Sequence, residues 1–129
     1  MKKLNKKDIT GMAALLVHAA RIDEKYTDKE KKLIKSFINS YLQDINLDLI
    51  LNDAETLEKN SNQLLNFTNI IKKENNEMKS DIIKHLWEII ISDKSIDQYE
   101  SNLVRRICGL IYFSDKLSAE IKLQILNSK

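Results

Sequence analysis

Four carboxylates stand at matching places in the chain: Asp23 and Glu30 in one segment, Asp93 and Glu100 in another. The segments overlay without gaps. Asp23-Glu24-Lys25-Tyr26-Thr27-Asp28-Lys29-Glu30 pairs with Asp93-Lys94-Ser95-Ile96-Asp97-Gln98-Tyr99-Glu100, Asp on Asp and Glu on Glu. A helix-capping residue, Thr27 or Asp97, stands three before each Glu, and an apolar Tyr26 or Ile96 precedes each cap. Should a two-fold relation between the segments bring both turns together, the acids would converge on one pocket. An oxygen-only ligand set of that kind suits Ca²⁺, Mg²⁺ or Mn²⁺. Asp97 is the next acid in line for such a site.

Helix capping competes for the same residues. In Thr27-Asp28-Lys29-Glu30 the threonine can accept the Glu30 amide while Glu30 reaches back to the Thr27 amide. Asp97-Gln98-Tyr99-Glu100 can do the same, and the dipole favours acids in a first turn. The glutamates are therefore explained by capping alone. The aspartates are not: each closes a helix, where the dipole disfavours a carboxylate by several tenths of a kcal/mol. Compensation must come from the amides of the following turn or from a cation.

Other reactive side chains give weaker signals. His18 and His85 lie inside apolar helical stretches with no HExxH neighbour, as half-buried histidines bonded to a nearby carbonyl would. Trp87 reads as a core residue with its indole N–H bonded outward. Cys108 falls in phase with Val104 and Ile111, as an inert core thiol does. It is the sole cysteine, which excludes an intrachain disulfide and a cysteine-based zinc site. There is no Gly-rich phosphate loop and no Ser-His-Asp constellation. The basic stretches Lys2-Lys3, Lys6-Lys7, Lys29-Lys31-Lys32 and Arg105-Arg106 read as solvated faces that could dock an acidic partner or anionic lipid. They lack the interleaved aromatics of a single-strand nucleic-acid groove.

Composition fixes the kind of scaffold that must hold these groups. The 129 residues make one domain-sized chain, 1–129, of 43% hydrophobic and 31% charged residues. With no proline and two glycines, it lacks the punctuation of sheets and tight hairpins. Its 21 basic against 19 acidic residues leave a net charge of +2, far from that of a dedicated nucleic-acid binder. The basic start followed by Met12-Ala13-Ala14-Leu15-Leu16-Val17 imitates a secretion signal. The apolar run is short, however, and Met12, Leu15, Leu16, Ala19 and Ile22 keep helical spacing. No segment approaches the ~20 apolar residues of a membrane span. A cytoplasmic location is expected.

Apolar periodicity predicts an all-α bundle. A first helix runs from about Lys6 to Ile22, and a second opens at Thr27 and carries Leu33, Ile34, Phe37, Ile38, Tyr41 and Leu42. Asn46 caps a third, with Leu47, Ile50, Leu51, Ala54 and Leu57. After the break at Asn60-Ser61, a short fourth carries Leu64, Leu65, Thr68 and Ile71. Asn75 caps the fifth, with Met78, Ile82, Leu86, Trp87 and Ile90. The sixth follows Asp97 with Leu103, Val104, Ile107, Cys108 and Ile111, and Ser114 caps the last, through Leu117, Ile121 and Ile125. Ile89-Ile90-Ile91 has strand propensity, but its flanks keep a period of 3.6.

The duplicated pattern resembles the tellurite-resistance protein B family of TerB-like domains. The family shows, twice, an apolar helix ending in Ala-x-x-Asp-Gly, a short turn, a cap, and a Glu opening the next helix. Ala20-Arg21-Ile22-Asp23 through Glu30 is the first copy. Leu86-Trp87-Glu88 through Asp93, Tyr99-Glu100 and Leu103-Val104-Arg105-Arg106 is the second and closer one, and Leu64-Leu65-Asn66-Phe67-Thr68 is similar to the family's middle helix. The likeness covers about residues 10 to 118. It implies an all-α bundle of about seven helices built on a pseudo-two-fold repeat of helix pairs. It further implies a non-enzymatic interaction or ion-responsive module in a bacterial stress response, with an unknown protein partner and a cation on Asp23, Glu30, Asp93 and Glu100. The alternatives are a metal-dependent enzyme using the same acids to activate water, or a basic-surface module that binds membrane or an acidic partner. The chain departs from the pattern where Glu24 and Lys94 replace the turn glycine, which would favour a left-handed conformation.

Overall fold

The computed structural model describes residues 5–22, 26–43, 45–92 and 98–128, with side chains described at all of these except 98–100. Regular structure among them is entirely helical, as expected: α1 (Lys6–Arg21), α2 (Asp28–Tyr41), α3 (Leu47–Lys59), α4 (Leu65–Lys72), α5 (Asn76–Ile91), α6 (Gln98–Ile111) and α7 (Asp115–Asn127). Short polar side chains start them. Thr27, Asn46, Asn75 and Ser114 each accept the amide three residues on, from Glu30, Leu49, Met78 and Leu117. Asn5 does the same for Asp8 at 2.7 Å. Each bond satisfies a donor that the first helical turn would otherwise leave unpaired. Asp97, expected to cap α6, lies outside the described residues.

α1 is central because it is apolar almost all round. Ile9, every residue from Gly11 to Val17, Ala19 and Ala20 are buried. It packs on α2, α3, α4 and α5. Small residues permit that crowding: a Cβ on Gly11 would stand 2.5 Å from Cδ1 of Ile70 on α4. α5 is the second central helix, burying Met78, Ile82, Ile83, Leu86, Trp87 and Ile89 to Ile91 among others. The isoleucine run is thus helical, as its flanks predict. The sequence-aligned pairs α1–α2 and α5–α6 are each in contact, and α1 packs on α5.

Three apolar positions expected on core stripes face water instead: Leu57 is 42% exposed, Leu65 46% and Leu117 47%. All lie on α3, α4 and α7, outside the central helices α1 and α5. α2 stops one residue early. Leu42 turns extended, although its N–H still reaches the Ile38 carbonyl at 3.0 Å. α6 ends with Tyr112 in the left-handed region at φ 60°, while the Phe113 N–H donates to the Cys108 carbonyl at 2.8 Å. This is a Schellman closure, with a tyrosine where glycine is the ordinary choice. Among the described residues, no helix is long and apolar enough to cross a membrane.

Candidate functional site

α2 opens through the expected capping box. The Glu30 N–H donates to Thr27 Oγ at 3.2 Å. In return Glu30 Oε1 accepts the Thr27 N–H at 2.8 Å and its hydroxyl at 3.0 Å. The Glu30 residue is only 1% exposed, so this carboxylate belongs to the interior. Tyr26, just before the cap, lies under two cations: Arg21 is 5.3 Å and Lys31 5.0 Å from its ring centre. Burial and then the Glu55 carboxylate push its hydroxyl above the ordinary tyrosine range, which keeps it protonated.

The last turn of α1 carries an ion-pair cluster that the sequence did not reveal. Glu58 of α3 receives Arg21 at 2.7 Å on one carboxylate oxygen and faces His18 Nδ1 at 3.2 Å with the other. His18 was expected to bond a carbonyl. It meets a carboxylate because α3 packs against α1 and brings its last turn alongside. Helical spacing places His18 and Arg21 on one face of α1, but nothing local announces the acid 37 residues on. The cluster borders a half-open groove of about 730 Å³ between the end of α1, the α3–α4 connection and α6. Phe67 and Leu103 line it as buried apolar residues, with Arg106 at its edge.

A second groove, of about 650 Å³, runs between α5 and α7 beside the end of α2. Glu77, Asp81 and Lys84 line it, and the Tyr41 hydroxyl donates to Asp81 Oδ2. His85 Nδ1 meets the Asp81 carbonyl at 2.8 Å, the carbonyl partner expected of it. Trp87 is core, but its N–H bonds inward, to Ser118 Oγ at 3.0 Å, rather than outward as expected. Ser118 is buried against α5, so the indole finds a protein acceptor instead of water. Cys108 is buried as expected, and burial raises its thiol pKa.

Of the acids predicted from sequence, only Glu30 is placed with its side chain. Asp23, Asp93 and Asp97 lie outside the described residues, as does the side chain of Glu100 in the first turn of α6. Glu24 and Lys94, in the glycine positions of the turns, also lie outside. Among the described residues, no three His, Cys, Asp or Glu side chains gather as a metal site would require.

The architecture is that of an all-helical module with a buried capping carboxylate at its first acidic turn and two polar grooves. The family model of tellurite resistance protein TerB matches residues 10–123, and the chain belongs to that family. No curated protein and no solved structure matches the chain.

Proposed function

We propose that this domain is a non-enzymatic, cation-responsive interaction module of a cytoplasmic stress response. A divalent cation, Ca²⁺, Mg²⁺ or Mn²⁺, would be held by Asp23, Glu30, Asp93 and Glu100, and its binding would tune contact with a protein partner. The observation that carries the reading is Glu30. Its carboxylate lies inside the protein at the start of α2, seven residues after Asp23 in the sequence, and an Asp–Glu pair with the same spacing recurs at Asp93 and Glu100. Hard cations take such oxygen ligands, and a buried carboxylate gains most from a nearby positive charge. Membership of the TerB family adds the stress-response setting, by family name.

Calorimetric titration of Ca²⁺, Mg²⁺ and Mn²⁺ into chelator-treated protein tests this, beside the double variant Asp23→Asn/Asp93→Asn. The expected result is saturable binding by the wild type that the variant loses. Absence of heat, with no thermal stabilisation by any of the ions, would return all four acids to helix capping.

A further inference from the structure

We infer that the groove beside His18, Glu58 and Arg106 is a docking site for an acidic, leucine-bearing peptide segment of a partner protein. The inference rests on the reading of this domain as an interaction module, and not on its cation site.

Charge decides the sign of the occupant. Among the described lining residues, Glu58 is the only acid, and it is already engaged by Arg21 at 2.7 Å and by His18 at 3.2 Å. Arg106 stands exposed at the edge and pairs with no carboxylate among the described residues. Arg105 beside it is exposed too. Among the described residues, the groove therefore presents positive charge that no carboxylate compensates. The second groove has the opposite balance, with Glu77 and Asp81 against Lys84.

Surface chemistry points to a peptide as the occupant. Asn62, Gln63 and Asn102 line the groove, and a side-chain amide can both donate to and accept from a passing backbone. Leu65 is 46% exposed there, above buried Phe67 and Leu103. An apolar anchor beside a cation with no carboxylate partner among the described residues is the combination a short acidic, aliphatic segment completes. A volume of about 730 Å³ admits a few side chains rather than a whole domain.

The test titrates the full chain into a fluorescein-labelled peptide of alternating Leu-Glu-Glu-Leu blocks and reads fluorescence anisotropy, with chelator present. Two control peptides carry Lys for Glu, or Ser for Leu. Saturable binding of the acidic peptide alone is expected, weakening as salt is raised. Arg106→Glu and Leu65→Ser should each weaken it by about fivefold or more, and Glu77→Gln in the other groove should leave it unchanged. Both test positions are exposed, and circular dichroism checks that the variants fold. Amide NMR shifts on adding peptide should centre on Asn62, Gln63, Asn102 and Arg106. Failure of the acidic peptide to bind, equal binding of the Lys peptide, or indifference to Arg106→Glu would each overturn the assignment. So would binding to phosphatidylglycerol vesicles with none to the peptide, which would make the basic face a membrane contact. Because chelator is present, a failed cation titration and a failed peptide titration stay separate results.

Discussion

The indole N–H of Trp87 donates to Ser118 Oγ at 3.0 Å, and this bond ties the last helix to the centre of the protein. α7 buries Ser118 where its other inward residues, Ile121 and Ile125, are only half-buried. Lys122 adds its ammonium 5.0 Å from the Trp87 ring centre. A polar pair rather than an apolar one thus anchors the helix that carries exposed Leu123 and Leu126.

Ser118→Ala should destabilise the protein by about 1–3 kcal/mol, because a buried indole N–H loses its acceptor. Thermal denaturation should show the midpoint falling by several degrees. The emission of Trp87, the only tryptophan, should shift to the red if the end of α7 frays. An unchanged midpoint would mean that water reaches the indole and replaces the hydroxyl.

Alkaline pH should weaken the fold through Tyr26 and Tyr41. Burial and then a carboxylate, Glu55 or Asp81, raise both hydroxyls above the ordinary tyrosine value of about 10. The unfolded chain therefore loses these protons at a lower pH than the folded one. Stability is complete below about pH 10 and declines as pH rises above it. Denaturation midpoints measured across that range should fall. Tyrosinate absorbance should show these two groups ionising only above the ordinary range, or on unfolding. A flat stability profile would show that the two hydroxyls are solvated in the folded protein.

Gly109 and the left-handed Tyr112 give a test of backbone fit. Gly109 lies in α6 with nothing within 4 Å of an added Cβ, so Gly109→Ala should stabilise by about 0.5–1 kcal/mol. Tyr112, at φ 60°, bears a left-handed cost of roughly 1–2 kcal/mol. Its ring also holds Lys72 at 4.8 Å, an exposed contact of about 0.5–1 kcal/mol. Glycine also stabilises the unfolded chain by about 0.4–1 kcal/mol, so Tyr112→Gly should change stability little, and by less than Gly109→Ala. Urea titrations of both variants check the order, and a clear loss with Tyr112→Gly would show that the Lys72 contact outweighs the strain.

What the sequence discloses follows from how local each feature is. Thr27, Asn46, Asn75 and Ser114 cap where expected because a cap needs only its own turn. The family was legible in the spacing of its acids; the all-round burial of α1 was not, since a stripe of Met12, Leu15, Leu16 and Ala19 predicts one buried face. The left-handed end of α6 was not: the usual cue is glycine, and the nearest glycine lies inside the helix. Nor was the Glu58 cluster, which depends on where α3 crosses α1. The exposure of Leu57, Leu65 and Leu117 likewise depends on how far a neighbouring helix extends, which periodicity does not encode.

Thr27 and Glu30 allow capping and cation binding to be separated within one turn. Thr27→Ala removes the acceptor for the Glu30 amide and should cost about 1 kcal/mol of stability. It leaves the Glu30 carboxylate in the chain, so cation binding should persist. Glu30→Gln keeps an amide oxygen that can still accept from Thr27, and glutamine serves in capping boxes. Its stability should fall by about 1–3 kcal/mol, because a buried carboxylate that accepts from Thr27 becomes an amide with new buried donors, while calorimetric cation binding should weaken sharply. The contrast is the test. If Glu30→Gln keeps full cation affinity, the carboxylate is a cap alone, and the ion must be held without it.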